Sequence, residues 1–197
     1  MDKDLPITGE SHDLGRDEWL RAARLALLKG GVEEVRVERL ARELRVTKGS
    51  FYWHFADREE LLELLLREWE QELPEITAQW KAARGRAALK QLLQEMEERA
   101  SLSEKGIGPS DAAIFTWASI SPRVARRVKK VERDRIRLVR KLMGDSGRAE
   151  LFYLAWLGFV ARGLRVPESR KRFPQVARAM LALAERGSGN SKSRRSQ

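Results

Sequence analysis

The sequence predicts an all-α protein whose N-terminal part holds a helix-turn-helix. Three observations carry that expectation. Apolar residues recur at i, i+3, i+4 and i+7 along most of the 197-residue chain, while period-two runs rich in Val, Ile and Thr are nearly absent. Two short helical segments, at 37–44 and from 47 onward, leave only a tight turn between them. Helix starters and breakers punctuate the rest: Asp57, Pro74, Ser110, Ser121-Pro122, Gly144 to Gly147 and Pro167.

Residues 1–13 are polar and aperiodic, so a disordered tail is expected there. Trp19, Ala22, Ala23, Ala26 and Leu27 mark a first helix, closed by Gly30-Gly31. Val37, Leu40, Ala41 and Leu44 mark a second, followed by the turn Arg45-Val46. Thr47 is expected to cap a third, its hydroxyl accepting from a backbone N–H near Ser50. Phe51 and Phe55, spaced i, i+4, would bury one face of it. Lys48, Tyr52, Trp53, His54 and Arg58 are then left toward the other face. Taken alone, this segment fits a surface helix with an aromatic edge as well as a phosphate grip. The geometry of two helices around a short turn at 36–55 favours insertion of the second helix into a major groove. Asp57-Arg58-Glu59-Glu60 resembles a capping box, and Leu61, Leu62, Leu65, Leu66 and Trp69 carry a fourth helix to Pro74.

Helical patterning continues beyond Pro74. Arg84 to Ala100 carries Ala88, Leu92, Leu93 and Met96 on one face, and Ser103 to Pro109 reads as a loop. Ser110 is expected to cap a short helix through Ala118, and Ser121-Pro122 to start a long one reaching about Met143. Glu150 to Leu164 is almost wholly apolar and should be buried all round. A last helix is expected over roughly Glu168 to Glu185, with Phe173, Val176, Ala177, Met180, Leu181 and Ala184 at core spacing. Residues 187–197 again have nothing to bury.

Composition excludes several functions. There is no cysteine, so disulfides and thiolate metal sites are excluded, and two histidines argue against a His-based metal centre. No cofactor motif, nucleotide loop or Ser/His/Asp arrangement occurs, which argues against an enzyme. No apolar run approaches the length of a membrane helix, and Met1 to Asp13 lacks a signal-peptide core, so a cytoplasmic protein without membrane contact is expected. The net charge of +10 is unevenly spread. Residues 15–62 hold ten basic and nine acidic side chains, whereas residues 122–141 hold ten and two. That second helix carries a narrow stripe of Val124, Val128, Val131, Leu138 and Leu142 without Trp or Phe, so its basic side reads as a solvated face rather than a membrane anchor.

The N-terminal part resembles the TetR family of transcriptional regulators. The residues that carry the likeness are Ala22-Ala23, Gly31, Leu40-Ala41, Val46-Thr47, Gly49-Ser50, Tyr52, His54-Phe55 and Leu61-Leu62. It covers residues 15 to 66, about a quarter of the chain, and Thr116-Trp117-Ala118 through Val131 and Arg135 adds a weaker match. Two positions depart from the family: Arg36 stands where Thr is usual at the cap of the second helix, and Arg45 where Gly is usual in the turn.

The resemblance implies a DNA-binding domain at 14–73, a helical ligand-binding and dimerisation domain at 74–186, and a basic disordered tail at 187–197. Thr47, Lys48, Gly49 and Ser50 would open the reading helix, with Lys48 and Ser50 reaching base edges. Tyr52 and His54 would lie against phosphate, Trp53 would pack on the sugar-phosphate backbone or brace the helix, and Arg58 would add a cation farther along. Trp80, Met96, Phe115, Trp117, Phe152, Tyr153 and Trp156 are candidates to line a ligand cavity, against the alternative of ordinary core packing. The last two helices would pair with their copies in a homodimer, for which Leu151, Phe159, Phe173, Val176 and Met180 are candidate contacts. The implied function is a dimeric regulator that binds a double-stranded DNA operator of twofold symmetry, a repressor released by a small-molecule effector. The alternative is an architectural, effector-independent DNA-binding protein.

Overall fold

A computed structural model of the chain describes residues 15–79, 85–107, 110–144 and 146–185. Among them it is all helical, without a strand. The two tails, Trp80 and the Gly108-Pro109 end of the expected loop lie outside the described residues. In chain order the helices are α1 (Arg16–Gly30), α2 (Val37–Leu44), α3 (Lys48–Tyr52), α4 (Arg58–Gln79), α5 (Gly85–Glu104), α6 (Asp111–Ala118), α7 (Pro122–Met143), α8 (Ser146–Arg165) and α9 (Phe173–Glu185). Short 3-10 turns occupy Val32–Glu34 and Pro167–Arg172.

Most starts and stops follow the residues that signal them. The Ser110 and Ser121 hydroxyls accept from the N–H of Ala113 and Val124, both at 3.4 Å, and Pro122 occupies the first turn of α7. Asp57 accepts from the Glu60 N–H at 2.8 Å, while the Glu60 carboxylate reaches back to the Ala56 N–H at 2.7 Å. The reciprocal pair of a capping box is thus displaced by one residue.

Three expected boundaries are corrected. α4 does not stop at Pro74 but runs through it to Gln79. A proline removes one intrahelical hydrogen bond, and here the preceding turns, anchored by Leu61, Leu62, Leu65, Leu66 and Trp69, hold the helix on course. α5 continues past Ser103 to Glu104, so the loop begins later. The last segment is not one helix: Pro174, without an N–H, fits the first turn of α9, and the preceding six residues tighten into a 3-10 turn.

Two buried cores result. The first gathers Trp19, Ala23, Leu40, Phe51, Phe55, Leu66 and Trp69 from α1 to α4, together with Ile114 and Trp117 of α6 and Val124, Val128 and Val131 of α7. The second joins Leu89 and Leu93 of α5, Leu138 and Leu142 of α7, Phe152 and Trp156 of α8, and Phe173 and Met180 of α9. The segment expected to be buried all round is buried on one side only. Phe152, Tyr153 and Trp156 face inward, while Leu151 and Leu154 are 56% and 53% exposed. The basic side of α7 is likewise not simply solvated. Arg127 donates to Glu63 at 2.7 Å and to Glu70 at 2.6 Å, and Arg123 donates to Glu63 at 2.9 Å, fastening α7 along α4.

Candidate nucleic-acid interface and internal cavity

The turn into the reading helix is made by Arg45, whose φ of 59° makes it the single non-glycine residue in the left-handed region among those described. That conformation lets the Val46 N–H reach the Ala41 carbonyl at 3.0 Å and closes α2. An arginine there costs about 1 kcal/mol more than glycine, because its Cβ crowds the backbone. At the other departure from the family, Arg36 supplies no side-chain cap; its Nε donates to the Glu33 carbonyl at 2.7 Å.

Thr47 stands at the cap of α3, but its hydroxyl makes no capping bond. The Ser50 N–H donates instead to the Thr47 carbonyl at 3.2 Å, corrected from the expected side-chain cap. Phe51 and Phe55 are buried and stack 5.0 Å apart, with Trp19 edge-on to Phe51 at 5.2 Å. These rings seat α3, so Thr47, Lys48, Gly49, Tyr52 and Trp53 are exposed on the outer side, with Ser50 and His54 half-buried. Tyr52 and Trp53 are 59% and 88% exposed, which no folding requirement explains. The Lys48 ammonium lies 3.3 Å from Glu38 of α2. The Glu38 backbone and then Lys48 hold that carboxyl below its ordinary range, so Lys48 has a carboxylate to exchange for another acceptor.

Arg58 is used differently from expectation. Its Nε and Nη2 donate to the carbonyls of Val35 and Val32 at 2.6 and 2.8 Å, and Nη1 meets Glu59 at 3.1 Å. The side chain joins the start of α4 to the segment after α1 and turns its donors inward. Nothing in the local sequence pattern marks those carbonyls.

Between α1, α5, α6, α7, α8 and α9 lies a cavity of about 300 Å³. Of the residues expected to line it, Met96, Tyr153 and Trp156 do so, while Phe115, Trp117 and Phe152 pack elsewhere. Phe159 and Phe173, expected at a dimer contact, line the cavity, and Phe173 and Met180 are buried within the chain at 4% and 1% exposure. Val176 is half-buried against the same core, and Leu151 alone of that group lies on the outer surface.

No sequence pattern marks the polar end of the cavity. Asp111, at the start of α6, accepts from Arg135 Nη1 of α7 at 2.6 Å, Trp69 Nε1 of α4 at 2.7 Å and Trp156 Nε1 of α8 at 3.3 Å. Burial alone would raise the Asp111 carboxyl, but the Arg135 charge and the hydrogen bonds from Trp69, Arg135 and Trp156 outweigh it and hold it below its ordinary range. Burial pushes the Tyr153 phenol up, so it stays neutral beside this pair. Arg135 also lies over the Trp69 ring at 5.1 Å.

The Trp69–Asp111 bond ties this region to α4. The turn at 105–107 ties it to α1, where Arg24 and Arg21 donate to the Gly106 and Lys105 carbonyls at 3.2 and 3.3 Å. Gly106 has φ 74°, and a Cβ there would stand 2.9 Å from Leu25, so only glycine lets this turn rest on α1.

A three-helix head with an exposed second helix of a helix-turn-helix, set on a helical body with a cavity, defines a class of DNA-binding regulators. Residues 20–65 match the family model of bacterial regulatory proteins, tetR family, so the head is that of a TetR-family transcriptional regulator. Proteins of this family are DNA-binding transcription factors rather than enzymes. The whole fold is similar to that of a transcriptional regulator from Rhodococcus sp. Rha1, at 18% identity and a TM-score of 0.64, over 88% of this chain and 97% of that one. It is similar too to a TetR/AcrR-family transcriptional regulator from Aquifex aeolicus VF5, at 16% identity and a TM-score of 0.58, over 84% and 95% of the two chains. No curated protein sequence matches the chain at a significant level. No helix among the described residues is long and apolar enough to cross a membrane, and they hold no cluster suited to a metal ion.

Proposed function

We propose that the chain is a dimeric, cytoplasmic, sequence-specific regulator of transcription, a repressor that a small-molecule effector releases from a twofold-symmetric operator. One observation supports the release mechanism above all. α4 starts beside the reading helix, and three turns later its Trp69 hydrogen-bonds Asp111 on the cavity wall. Leu28 of α1 lines the same cavity, so an occupant would touch the head directly as well as through Asp111. A ligand that prefers one placement of these contacts would shift the spacing of two heads relative to successive major grooves.

In this reading residues 14–73 are the DNA-binding domain and 74–186 the regulatory domain. Lys48 and Ser50 read base edges, while Tyr52, Trp53 and His54 hold the backbone, with Thr47 and Gly49 at the close approach. Arg58 braces the head. The second copy pairs along α8 and α9, where Leu151, Leu154, Gly158 and Ala161 recur on one outward face of α8 and Leu183 is 42% exposed on α9.

The test is selection of binding sites from random DNA by the purified protein, with its mass measured free and bound, followed by a screen for compounds that release it. A palindromic consensus bound by two chains is expected. A monomer at micromolar concentration on a single asymmetric half-site would overturn the dimer, and a site no compound releases would favour the effector-independent alternative.

A further inference from the structure

We infer that the cavity takes an uncharged, largely apolar molecule with a single hydrogen-bond donor at one end. This rests on the cavity being the effector site proposed above and adds the chemical class of what fills it. Its walls are apolar over most of their extent, formed by Leu92, Met96, Leu138, Val139, Phe159 and Phe173. Its volume of about 300 Å³ suits a compact ligand.

The polar end decides the charge. Asp111 and Arg135 sit 2.6 Å apart with side chains only 17% and 15% exposed, so each neutralises the other where water hardly reaches. An anionic ligand drawn to Arg135 would crowd or displace Asp111. A cationic ligand drawn to Asp111 would do the same to Arg135. Either exchange breaks the buried Asp111–Arg135 pair, which is strongly unfavourable. A neutral donor needs no exchange. Asp111 Oδ1 already accepts from Trp69 and Arg135; among the described residues Oδ2 accepts the longer Trp156 bond at 3.3 Å, and a carboxylate oxygen has room for another donor. A hydroxyl or amide N–H entering beside Trp156 is therefore the group this end receives.

The other charges on the lining do not change the outcome. Glu97 is exposed, Arg99 is half-buried and has an interaction partner, and Glu104 and Arg170 pair with each other at the solvent edge. Water screens charges in such positions, and they select weakly among ligands.

The experiment titrates the full chain by calorimetry at neutral pH with 1-octanol, octanoate and octylammonium, which share a chain and differ in the head group. Octanol should bind on the order of tenfold more tightly than either ion. Asp111→Asn, which removes the carboxylate charge beside Arg135, should move the preference toward octanoate, and Arg135→Gln should move it toward octylammonium, each by roughly tenfold relative to octanol. Octanoate or octylammonium binding the native protein as well as octanol, or no binding of any probe, overturns the inference. So does an unchanged ranking in folded variants, because the order would then reflect only partitioning out of water. Circular dichroism establishes whether each variant folds; if neither does, the native titration decides alone. Operator binding followed on the same samples separates the two readings: octanol that binds without altering DNA affinity counts against effector release and leaves the ligand class standing.

Discussion

The core beneath the reading helix and the core around the cavity draw on the same residue types but are filled differently. In the first, Trp19, Phe51 and Trp69 are fully buried and Phe55 nearly so, with rings in direct contact. In the second, Trp156, Phe159 and Phe173 also touch ring to ring, yet they border a cavity, and Leu151, Leu154 and Leu183 nearby point outward. A filled core fixes the geometry of what rests on it. An unfilled one leaves part of its stabilisation to be supplied by whatever binds. The difference gives the surface proposed to meet DNA a rigid seat and leaves adaptability to the body around the cavity.

The largest test of that contrast is a pair of truncations. Phe51→Ala removes a ring enclosed on every side and should cost about 3–5 kcal/mol, with loss of the folded head seen by thermal unfolding. Phe173→Ala opens space beside a cavity that already exists, where the ring has fewer neighbours to lose, and should cost nearer 2–3 kcal/mol. Equal costs would mean the second core is as tightly filled as the first.

Next in size is Arg58→Ala. It strips donors from the carbonyls of Val32 and Val35 and should lower stability by about 1–3 kcal/mol in denaturant titrations. If the folded head stayed as stable while affinity for every DNA sequence fell, Arg58 would be a phosphate contact after all.

The ionic contact between α4 and the first half of α7 should respond to acid. Burial would raise the Glu63 carboxyl, but hydrogen bonds from Arg127, Arg67 and Arg123 outweigh it and bring it from an ordinary 4.5 to about 2. A depressed carboxyl contributes fully above its unfolded value and less as pH falls through its folded one. The native protein should therefore lose on the order of 1–2 kcal/mol between about pH 5 and pH 2 from this group. Glu63→Gln should flatten that limb of a plot of Tm against pH. A limb unchanged by the substitution would remove Glu63 from the account.

Leu154→Glu should have the smallest effect on the single chain, within about 0.5 kcal/mol, because the side chain is already mostly exposed. If α8 meets a second copy, the same change should abolish self-association in sedimentation. A variant that still dimerises would move the interface elsewhere.

The helices were legible wherever local chemistry decides them. Ser110, Ser121-Pro122 and the Phe51, Phe55 spacing state their roles within a turn or two of chain. The site was legible only on its outer surface, where exposure of Tyr52 and Trp53 follows from burial of their neighbours. Asp111 was not, because its partners Arg135, Trp69 and Trp156 stand 24, 42 and 45 residues away and no periodicity records such a meeting. For the same reason Phe173 and Met180 showed an apolar face without showing which body it covers. The bonds from Arg58 to the Val32 and Val35 carbonyls leave no mark in the sequence, because a cation near such a helix looks alike whether it faces phosphate or a carbonyl.

α7 contributes Val124, Val128 and Val131 to one core and Leu138 and Leu142 to the other. A rigid rod shared in this way leaves no seam along which the protein can come apart in stages. Heating should give one calorimetric endotherm whose van't Hoff and measured enthalpies agree. A fragment ending at residue 73 would lack Ile114, Trp117 and the valines of α7 that cover its buried face. The boundary proposed near residue 73 is therefore no structural break: either half, taken alone, would lose apolar cover from the α7 that both share.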